Sequence, residues 1–114
     1  MATNAGFTAH YQDTAAAGTT SIFTAPAGYI STVGGITFNN QVANNITVSV
    51  VRANPPSTVI AYAFTLAAGD VISDNNQYVL GPGDMIDITT TAGTTNYMFS
   101  VNIATAGSIQ NIFR

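Results

Sequence analysis

Apolar and polar residues alternate along much of the chain, in short runs separated by clusters of Gly, Asn, Pro and Asp. In residues 58–66, the large side chains Ile60, Tyr62, Phe64 and Leu66 occupy every second position. A period of two is typical of a β-strand with one buried face, so we expect these side chains to face a core. The same alternation recurs in Ile46, Val48 and Val50 with Arg52 continuing that face, in Ile86 and Ile88, and in Tyr97, Phe99, Val101 and Ile103.

Strand patterns of this kind recur roughly every 8 to 14 residues, which is the spacing of a β-sandwich or barrel. They predict strands near residues 6–12, 20–25, 29–39, 45–53, 58–66, 71–80, 84–91 and 95–103. About eight strands is the number in a jelly roll. We therefore predict an all-β fold, in which residues 1–103 form a single antiparallel β-sandwich of about eight strands, jelly-roll-like.

Gly and Pro interrupt the strand patterns at defined places. Gly34 and Gly35 lie inside a good strand pattern and predict a bulge that switches the inward-facing side, as when a strand passes from one sheet to the other. Residues 53–57, with the sequence ANPPS, predict a hairpin connection because neither proline can donate a hydrogen bond to a β-ladder. Residues 90–96 predict a second hairpin with Gly93 at its tip.

Residues 104–114 differ from the rest of the chain because they carry apolar residues without an obvious strand partner. Ile109, Ile112 and Phe113 are followed by Arg114, and we take these four as candidate interface residues. Apolar residues near a terminus need a surface that covers them. The segment is expected to form a last edge strand or an arm onto a neighbouring subunit. Packing back on its own domain is an open alternative.

Two stretches of the chain resemble each other: FTLAAGDVI at residues 64–72 and YVLGPGDMI at residues 78–86. In each, Gly followed by Asp is typical of a tight turn, where Gly69 or Gly83 supplies a positive φ and the Asp hydrogen-bonds nearby backbone N–H groups. Asp70 and Asp84 are also the candidates for a Ca²⁺ site, since carboxylate oxygens bind this ion. Their spacing matches no EF-hand loop, so we predict turns and no metal site.

The charge inventory is unusual, because the chain has neither Lys nor Glu and its only cations are Arg52 and Arg114. A surface of Thr, Asn, Ser and Ala suits strands and turns and leaves little repulsion between copies. We expect no nucleic-acid partner, since phosphate binding needs clustered Lys and Arg. The apolar runs are too short for a membrane span, and the first residues lack the features of a signal peptide. We expect the protein to be made in a host cytoplasm.

Catalytic chemistry has few candidates in this sequence. No Cys is present, and His10 is the only histidine, so a zinc site or a cysteine nucleophile lacks its residues. A Ser-His-Asp arrangement is formally open, but no nucleophile-elbow motif occurs and His10 reads as a polar residue on an edge strand. Tyr11, Tyr29 and Tyr78 could be exposed and stack on a sugar, although Trp, the best stacking residue, is absent. We predict no enzyme activity and no cofactor.

Residues 29–103 resemble the small β-sandwich virion proteins of tailed bacteriophages. The resemblance rests on ITFNNQVANNITVSVV, then LAAGD, then YVLGPGDMIDITTTAG, followed by a last alternating strand. It implies a non-enzymatic structural subunit, commonly trimeric, that binds a capsid or tail surface, and it carries over no catalytic residue.

This resemblance makes a capsid decoration (cement) protein on the virion surface the expected function. Its partners would be the major capsid protein or other virion subunits, together with further copies of itself. The alternatives are a phage neck or tail component, or a β-sandwich that binds a carbohydrate or a receptor.

Overall fold

A computed structural model describes residues 7–40 and 42–105, and it confirms an all-β architecture. The described residues form eight strands and no helix, hence no helix that could span a membrane. The strands are β1 (Phe7–Ala15), β2 (Gly18–Thr24), β3 (Tyr29–Asn40), β4 (Asn44–Ala53), β5 (Pro56–Leu66), β6 (Val71–Leu80), β7 (Met85–Thr90) and β8 (Thr95–Thr105).

The strands form two antiparallel four-stranded sheets. Sheet 1 has the order β1-β8-β3-β6, and sheet 2 has the order β2-β7-β4-β5. This is the strand order of a jelly roll, in which the chain repeatedly crosses from one sheet to the other. The order leaves β1 and β6 at the edges of sheet 1 and β2 and β5 at the edges of sheet 2.

The predicted strands agree closely with the observed ones, because the alternation that predicts them is the alternation that builds the core. One inward face of each sheet meets the other across the sandwich, and large residues such as Phe38, Ile46, Ile88 and Val101 are fully buried. Burying each such side chain contributes about 1.5–3 kcal/mol to folding. β8 runs to Thr105, slightly beyond the expected domain boundary at residue 103, and residues 106–114 lie outside the described residues.

The predicted bulge at Gly34 and Gly35 is confirmed. The pairing of β3 with β6 and β8 shifts after Gly34, and Gly35 adopts a φ of 67°, a conformation that costs little only for glycine. Before the bulge Val33 is buried, and after it Ile36 is buried, so the inward face changes as expected. The expected passage to the other sheet is wrong, since β3 pairs with the same two strands on both sides of the bulge.

A second bulge, in β5, makes one sequence prediction wrong. Val48 pairs with Tyr62 while Ser49 pairs with Ile60, which leaves Ala61 without a partner. The inward face of β5 therefore changes at Ala61. Leu66 faces the core as predicted, whereas Ile60 points outward and is 69% exposed. Nothing in the local sequence marks this bulge with a Gly or Pro.

The hairpin between β4 and β5 is confirmed but shorter than expected. Asn54 and Pro55 form the turn, and Pro56 already pairs with Ala53 as the first residue of β5. A proline is tolerated there because β5 is an edge strand and its missing N–H breaks no ladder in the sheet interior.

Candidate functional site

The two Gly-Asp motifs form two turns of one kind, as predicted. The backbone N–H of Asp70 donates to the carbonyl of Ala67 at 3.1 Å, and that of Asp84 donates to the carbonyl of Gly81 at the same distance. Gly69 and Gly83 precede the aspartates with φ values of 81° and 84°. A positive φ at the third position is the requirement of a type II turn, and it explains the glycine in each motif.

Asp84 does more than complete its turn, because its carboxylate binds three groups from two parts of the chain, the end of β4 and the β6–β7 turn. Oδ1 accepts a hydrogen bond from the backbone N–H of Ala53 at 2.9 Å, and Oδ2 accepts one from the N–H of Gly81 at 3.0 Å. Oδ2 also lies 2.7 Å from Nη1 of Arg52. Asp84 is buried, and its carboxylate links the β4–β5 hairpin to the β6–β7 turn, with the Arg52 side chain partly exposed to solvent.

The surroundings of Asp84 favour its charged form. Burial by itself raises the pKa of a carboxyl, but the N–H of Ala53, the Arg52 guanidinium and the N–H of Gly81 outweigh this effect and hold the pKa of Asp84 below its ordinary value. Each of these groups stabilises the carboxylate. Both carboxylate oxygens of Asp84 accept hydrogen bonds from the protein, so the side chain has a structural role and does not present a free oxygen to a ligand.

Asp70 lies at the other end of the sandwich and has a different environment. The Asp70 turn contacts the end of β3, where the N–H of Gly69 donates to the carbonyl of Asn40. The Asp84 turn instead contacts Ala25, which precedes the start of β3. The length of β3, roughly 36 Å at 3.3 Å per residue, separates the two aspartates. They therefore share no cation site. Within the described ranges, no three His, Cys, Asp or Glu side chains come together as metal ligands.

Asp74 and Tyr78 form a buried pair that the sequence did not reveal. The Tyr78 hydroxyl donates to Asp74 Oδ2, and the backbone N–H of Asn76 donates to Oδ1 at 3.0 Å. Burial and the bond to Asp74 raise the pKa of Tyr78. The expectation that Tyr78 is an exposed stacking residue is therefore wrong. The pair spans the place where the β3–β6 register shifts, so it stabilises a bulge on the edge strand β6.

The outer face of sheet 1 is almost free of charge. Paired residues form rows that cross all four strands of this face. Among these rows His10 is the only ionisable residue. The rows are Thr8, Asn102, Thr32 and Val79; His10, Ser100, Gly34 and Gln77; Gln12, Met98, Thr37 and Ser73; and Thr14, Asn96, Asn39 and Val71. Hydrogen bonds join neighbours within rows, such as Thr8 to Asn102 at 2.6 Å and Thr37 to Ser73 at 3.0 Å.

The outer face of sheet 2 has the same character, with Asp87 as the only charged residue in its rows. The rows are Thr19, Thr89, Thr47 and Ala63; Ser21, Asp87, Ser49 and Ile60; and Thr24, Met85, Val51 and Thr58. Ser21 donates a hydrogen bond to Asp87 at 2.5 Å. No aromatic residue belongs to the rows of either face, so neither offers a flat ring on which a sugar could stack.

His10 lies on the outer face of the edge strand β1, as expected for a polar edge residue. Its Nδ1 is 2.8 Å from Oγ of Ser100, which brings together two members of a Ser-His-Asp arrangement. The nearest aspartate along the strand, Asp13, pairs with Tyr97 and so belongs to the inward side of β1. The rows of the outer face contribute no carboxylate, so this pair lacks the third group of a triad.

The open margin between the edge strands β5 and β6 exposes apolar side chains. Val59 lies on the inward side of β5, Ile60 on the outer face of sheet 2 and Val79 on the outer face of sheet 1, so these three side chains point in different directions. Val59 and Val79 are each 57% exposed. Arg52 crosses this margin, because its Nη1 also donates to the carbonyl of Val79 at 2.9 Å.

The candidate interface residues from the sequence, Ile109, Ile112, Phe113 and Arg114, lie outside the described residues.

Comparisons with known proteins support the fold. No protein-family model matches the chain, and neither does any curated protein. A protein from the disulfide-linked pili that form Bacillus endospore appendages is similar over 90% of this chain and 88% of its own, with a TM-score of 0.61 and 17% identity. A protein of infectious bursal disease virus, strain Gx, gives a TM-score of 0.51 at 18% identity over 91% of this chain. The chain spans only 32% of that viral protein. At these identities the likeness establishes a shared β-sandwich fold.

Proposed function

We propose that this chain is a structural subunit that packs in repeated copies within a larger assembly. The observation that carries the proposal is the pair of nearly uncharged outer faces. Only 6% of the residues are charged, whereas soluble domains average about 25%. Most of the few charges also lie away from the faces, since Asp84 pairs with Arg52, Asp74 is buried and Asp70 lies in a turn.

Uncharged faces of this kind suit close packing. Two such faces approach each other without the cost of burying unpaired charges. Their Thr, Ser, Asn and Gln side chains can both donate and accept hydrogen bonds. Each of these side chains that becomes buried in an interface can therefore find a backbone or side-chain partner on the neighbouring copy. A surface with so little charge promotes association between copies, which favours an assembled subunit over a free monomer.

The specific assembly we propose is the virion of a tailed bacteriophage, with the chain as a capsid decoration protein that bridges neighbouring major capsid subunits. The resemblance of residues 29–103 to small phage virion proteins supports it, as does the fold shared with a protein of another virus. Binding would bury apolar and backbone hydrogen-bonding surface across subunit boundaries. Residues 106–114 would act as the arm, since Ala104 and Thr105 pair with β3 as the end of β8. A homo-oligomer, with a trimer as the leading case, would supply affinity through several simultaneous contacts.

A filament subunit is the second candidate. The pilus protein is similar over nearly the whole of both chains, which favours a subunit of comparable size and shape. These 114 residues contain no cysteine, so a filament built from them would be held by non-covalent contacts. Electron microscopy of the concentrated protein separates the two candidates: filaments favour this one, and discrete oligomers that bind capsids favour decoration.

The test of the packing role adds one charge to an outer face. Met98 lies near the middle of the outer face of sheet 1 and is half exposed. Met98→Lys should weaken oligomerisation or capsid binding about tenfold or more, because the interface would bury an unpaired ammonium group. The matched control is Ala68→Lys, which adds the same charge at an exposed position of the Ala67–Asp70 turn. Sedimentation and capsid co-pelleting provide the readout.

Two results would contradict the proposal. One is a wild-type chain that stays monomeric at high concentration and binds neither capsids nor tails. The other is equal assembly by the Met98→Lys and Ala68→Lys variants. Removal of residues 108–114 tests the arm separately, since the shortened chain should fold normally and assemble less well.

A further inference from the structure

We infer that β1 pairs with β1 of a second copy of this chain, in antiparallel orientation and about a two-fold axis at Tyr11. The inference rests on the proposed function, because it assumes that copies pack together. It adds the strand that makes one contact between copies and the register of that contact. A trimer would need a further contact, since a two-fold axis joins copies in pairs.

The first argument is that β1 is the regular edge among the four edge strands of the described residues. The other three contain a register shift, which lies at Ile22 in β2, at Ala61 in β5, and at Asn75 and Asn76 in β6. Bulges protect an edge because they interrupt the backbone pattern that another strand would need. β1 instead pairs with β8 from Phe7 to Ala15 without a shift, and it contains no Lys, Arg or Pro. A second copy therefore offers β1 itself as the regular edge with which β1 can pair.

The second argument identifies the backbone groups of β1 that lack a strand partner. The N–H of Thr14 donates to Oδ1 of Asp13 at 2.8 Å, so it points away from β8. In an antiparallel ladder the N–H and C=O of one residue point to the same side, and those of the next residue point to the other side. The residues whose backbone groups face the open edge are therefore Thr8, His10, Gln12 and Thr14.

The far side of sheet 1 leads to the same assignment. The carbonyl of Asn40 accepts from the N–H of Gly69, just before β6, so the backbone of Asn39 must face β8. Asn39, Asn96 and Thr14 lie in one row. Asn96 therefore directs its backbone groups to β3, and those of Thr14 are left at the open edge.

The third argument is that β1 is complementary to a second copy of itself. Complete overlap of the two strands places Thr8 opposite Thr14 of the second copy, and His10 opposite Gln12 of the second copy. All four residues have their free backbone groups on the side that faces the second copy. The four facing pairs would form about eight backbone hydrogen bonds, two for each pair. That number lies within the range of about 10 ± 5 direct hydrogen bonds of a typical protein interface.

Tyr11 lies at the centre of this register and adds an aromatic contact. Its ring stacks on Phe99, with centroids 5.0 Å apart, and meets Phe23 edge-on at 5.6 Å, yet Tyr11 is 38% exposed. In the pair of β1 strands, each Tyr11 would face the other in a non-hydrogen-bonded pair, where side chains lie closest. Asp13, which is charged, would face Ala9 of the second copy, so no like charges would meet.

Disulfide trapping tests the register, because the chain has no cysteine of its own. One preparation carries Ala9→Cys and another carries Asp13→Cys. The two positions would face each other with Cα atoms about 4.5 Å apart, which a disulfide can bridge. Each preparation alone is the matched control, since position 9 of one copy would lie about 14 Å from position 9 of the other, and the same holds for position 13. After mixing and oxidation we expect about tenfold more covalent dimer than in either preparation alone, because only the mixed pair meets the distance requirement.

Gln12→Pro tests the backbone hydrogen bonds. Proline removes an N–H at the open edge, where no bond to β8 is lost, so the edge strand should tolerate it. The dimer would lose one hydrogen bond from each copy, and we expect its dissociation constant in sedimentation to rise about tenfold or more. The matched control is Gln12→Ala, which keeps the N–H and should assemble as the wild type does. Thermal melting shows whether each variant is folded, and disulfide trapping alone decides if Gln12→Pro is not.

Amide hydrogen exchange provides a further readout. The N–H groups of Thr8 and His10 should exchange slowly in the assembled wild type and rapidly in folded Gln12→Pro, whereas that of Tyr11, which faces β8, should be protected in both.

Three results would overturn the inference. Equal covalent dimer in the mixture and in the single preparations would show that the strands do not meet in this register. A folded Gln12→Pro variant that assembles like Gln12→Ala would show that copies pack without the edge of β1, and the proposed function would stand. Slow exchange of Thr8 and His10 in a monomeric wild-type chain would show that a segment of the same molecule covers this edge. A chain that forms no oligomer and binds no capsid would instead remove the proposed function, and this inference with it.

Discussion

Arg52 and Asp84 form an ion pair that links the two sheets of the sandwich. Arg52 lies near the end of β4 in sheet 2, and its Nη1 donates both to Oδ2 of Asp84 at 2.7 Å and to the carbonyl of Val79, on β6 in sheet 1, at 2.9 Å. The inward alternation of β4 brings Arg52 to this position, because Ile46, Val48 and Val50 occupy the same face. At this end of the core the buried carboxylate of Asp84 is paired and hydrogen-bonded, as a buried charge requires, whereas the Arg52 side chain is 43% exposed.

Asp84 and Asp70 should differ sharply in their importance for stability, although their turns are alike. Asp84→Ala would leave the N–H groups of Ala53 and Gly81 without an acceptor and Arg52 without its counter-charge, at a cost of about 2–4 kcal/mol. Asp70 is exposed, and its carboxylate has no hydrogen-bond partner among the described residues. Asp70→Ala should therefore change the free energy of unfolding by less than about 0.5 kcal/mol. Urea unfolding of both variants measures the difference, and equal losses would contradict this account.

The same site predicts a loss of stability in acid. Because the pKa of Asp84 is lowered in the folded protein, its contribution is present above the ordinary pKa of an aspartate, about 4, and is lost as the pH falls through the lower folded value. Asp84→Asn should therefore be clearly less stable than wild type at pH 7, and the gap should narrow as the pH is lowered below about 4. Melting temperatures from pH 7 to pH 2.5, with Asp70→Asn as the control, test this; a constant gap would refute it.

The strands and the Gly-Asp turns could be predicted from the sequence, because both depend on neighbours in the chain. Alternation along a strand identifies its inward residues, and a turn at Gly69 or Gly83 needs only the local requirement for a positive φ. The partner of Asp84 could not be predicted, since Arg52 is 32 residues away. The outward position of Ile60 depends on how β5 pairs with β4, which no local pattern reveals. The neutrality of the outer faces also becomes visible only when the register aligns the rows.

Asn44 should be another residue on which the fold depends. It is buried at the start of β4, and its side chain holds the β7–β8 turn: Oδ1 accepts from the backbone N–H groups of Thr91 and Ala92, at 2.8 and 3.1 Å, and Nδ2 donates to Ala92 and Thr95. Asn44→Ala would leave these groups unsatisfied and should cost about 2–4 kcal/mol.

The neighbouring residue provides the control for Asn44. Asn45 is exposed, and its side chain accepts one hydrogen bond, from the hydroxyl of Thr65 at 2.9 Å. Asn45→Ala should cost about 0.5 kcal/mol, since water replaces that bond. Chemical unfolding of both variants provides the comparison. If Asn44→Ala were as well tolerated as Asn45→Ala, the turn would be held by other contacts.

The bulge in β3 allows a test in which two adjacent glycines behave differently. Gly35 has a φ of 67°, and a methyl group there would meet no atom within 4 Å, so any penalty comes from backbone strain alone. Gly35→Ala should therefore lower the free energy of unfolding by about 1 kcal/mol. Gly34 has no positive φ, and a methyl group there would lie 3.6 Å from Cγ of Gln77, an ordinary contact. Gly34→Ala should leave stability unchanged or raise it by up to about 1 kcal/mol, because alanine restricts the unfolded chain. Thermal unfolding of the two variants decides the matter: a larger loss for Gly34→Ala would mean that crowding between β3 and β6, and not the left-handed backbone, sets the requirement for glycine.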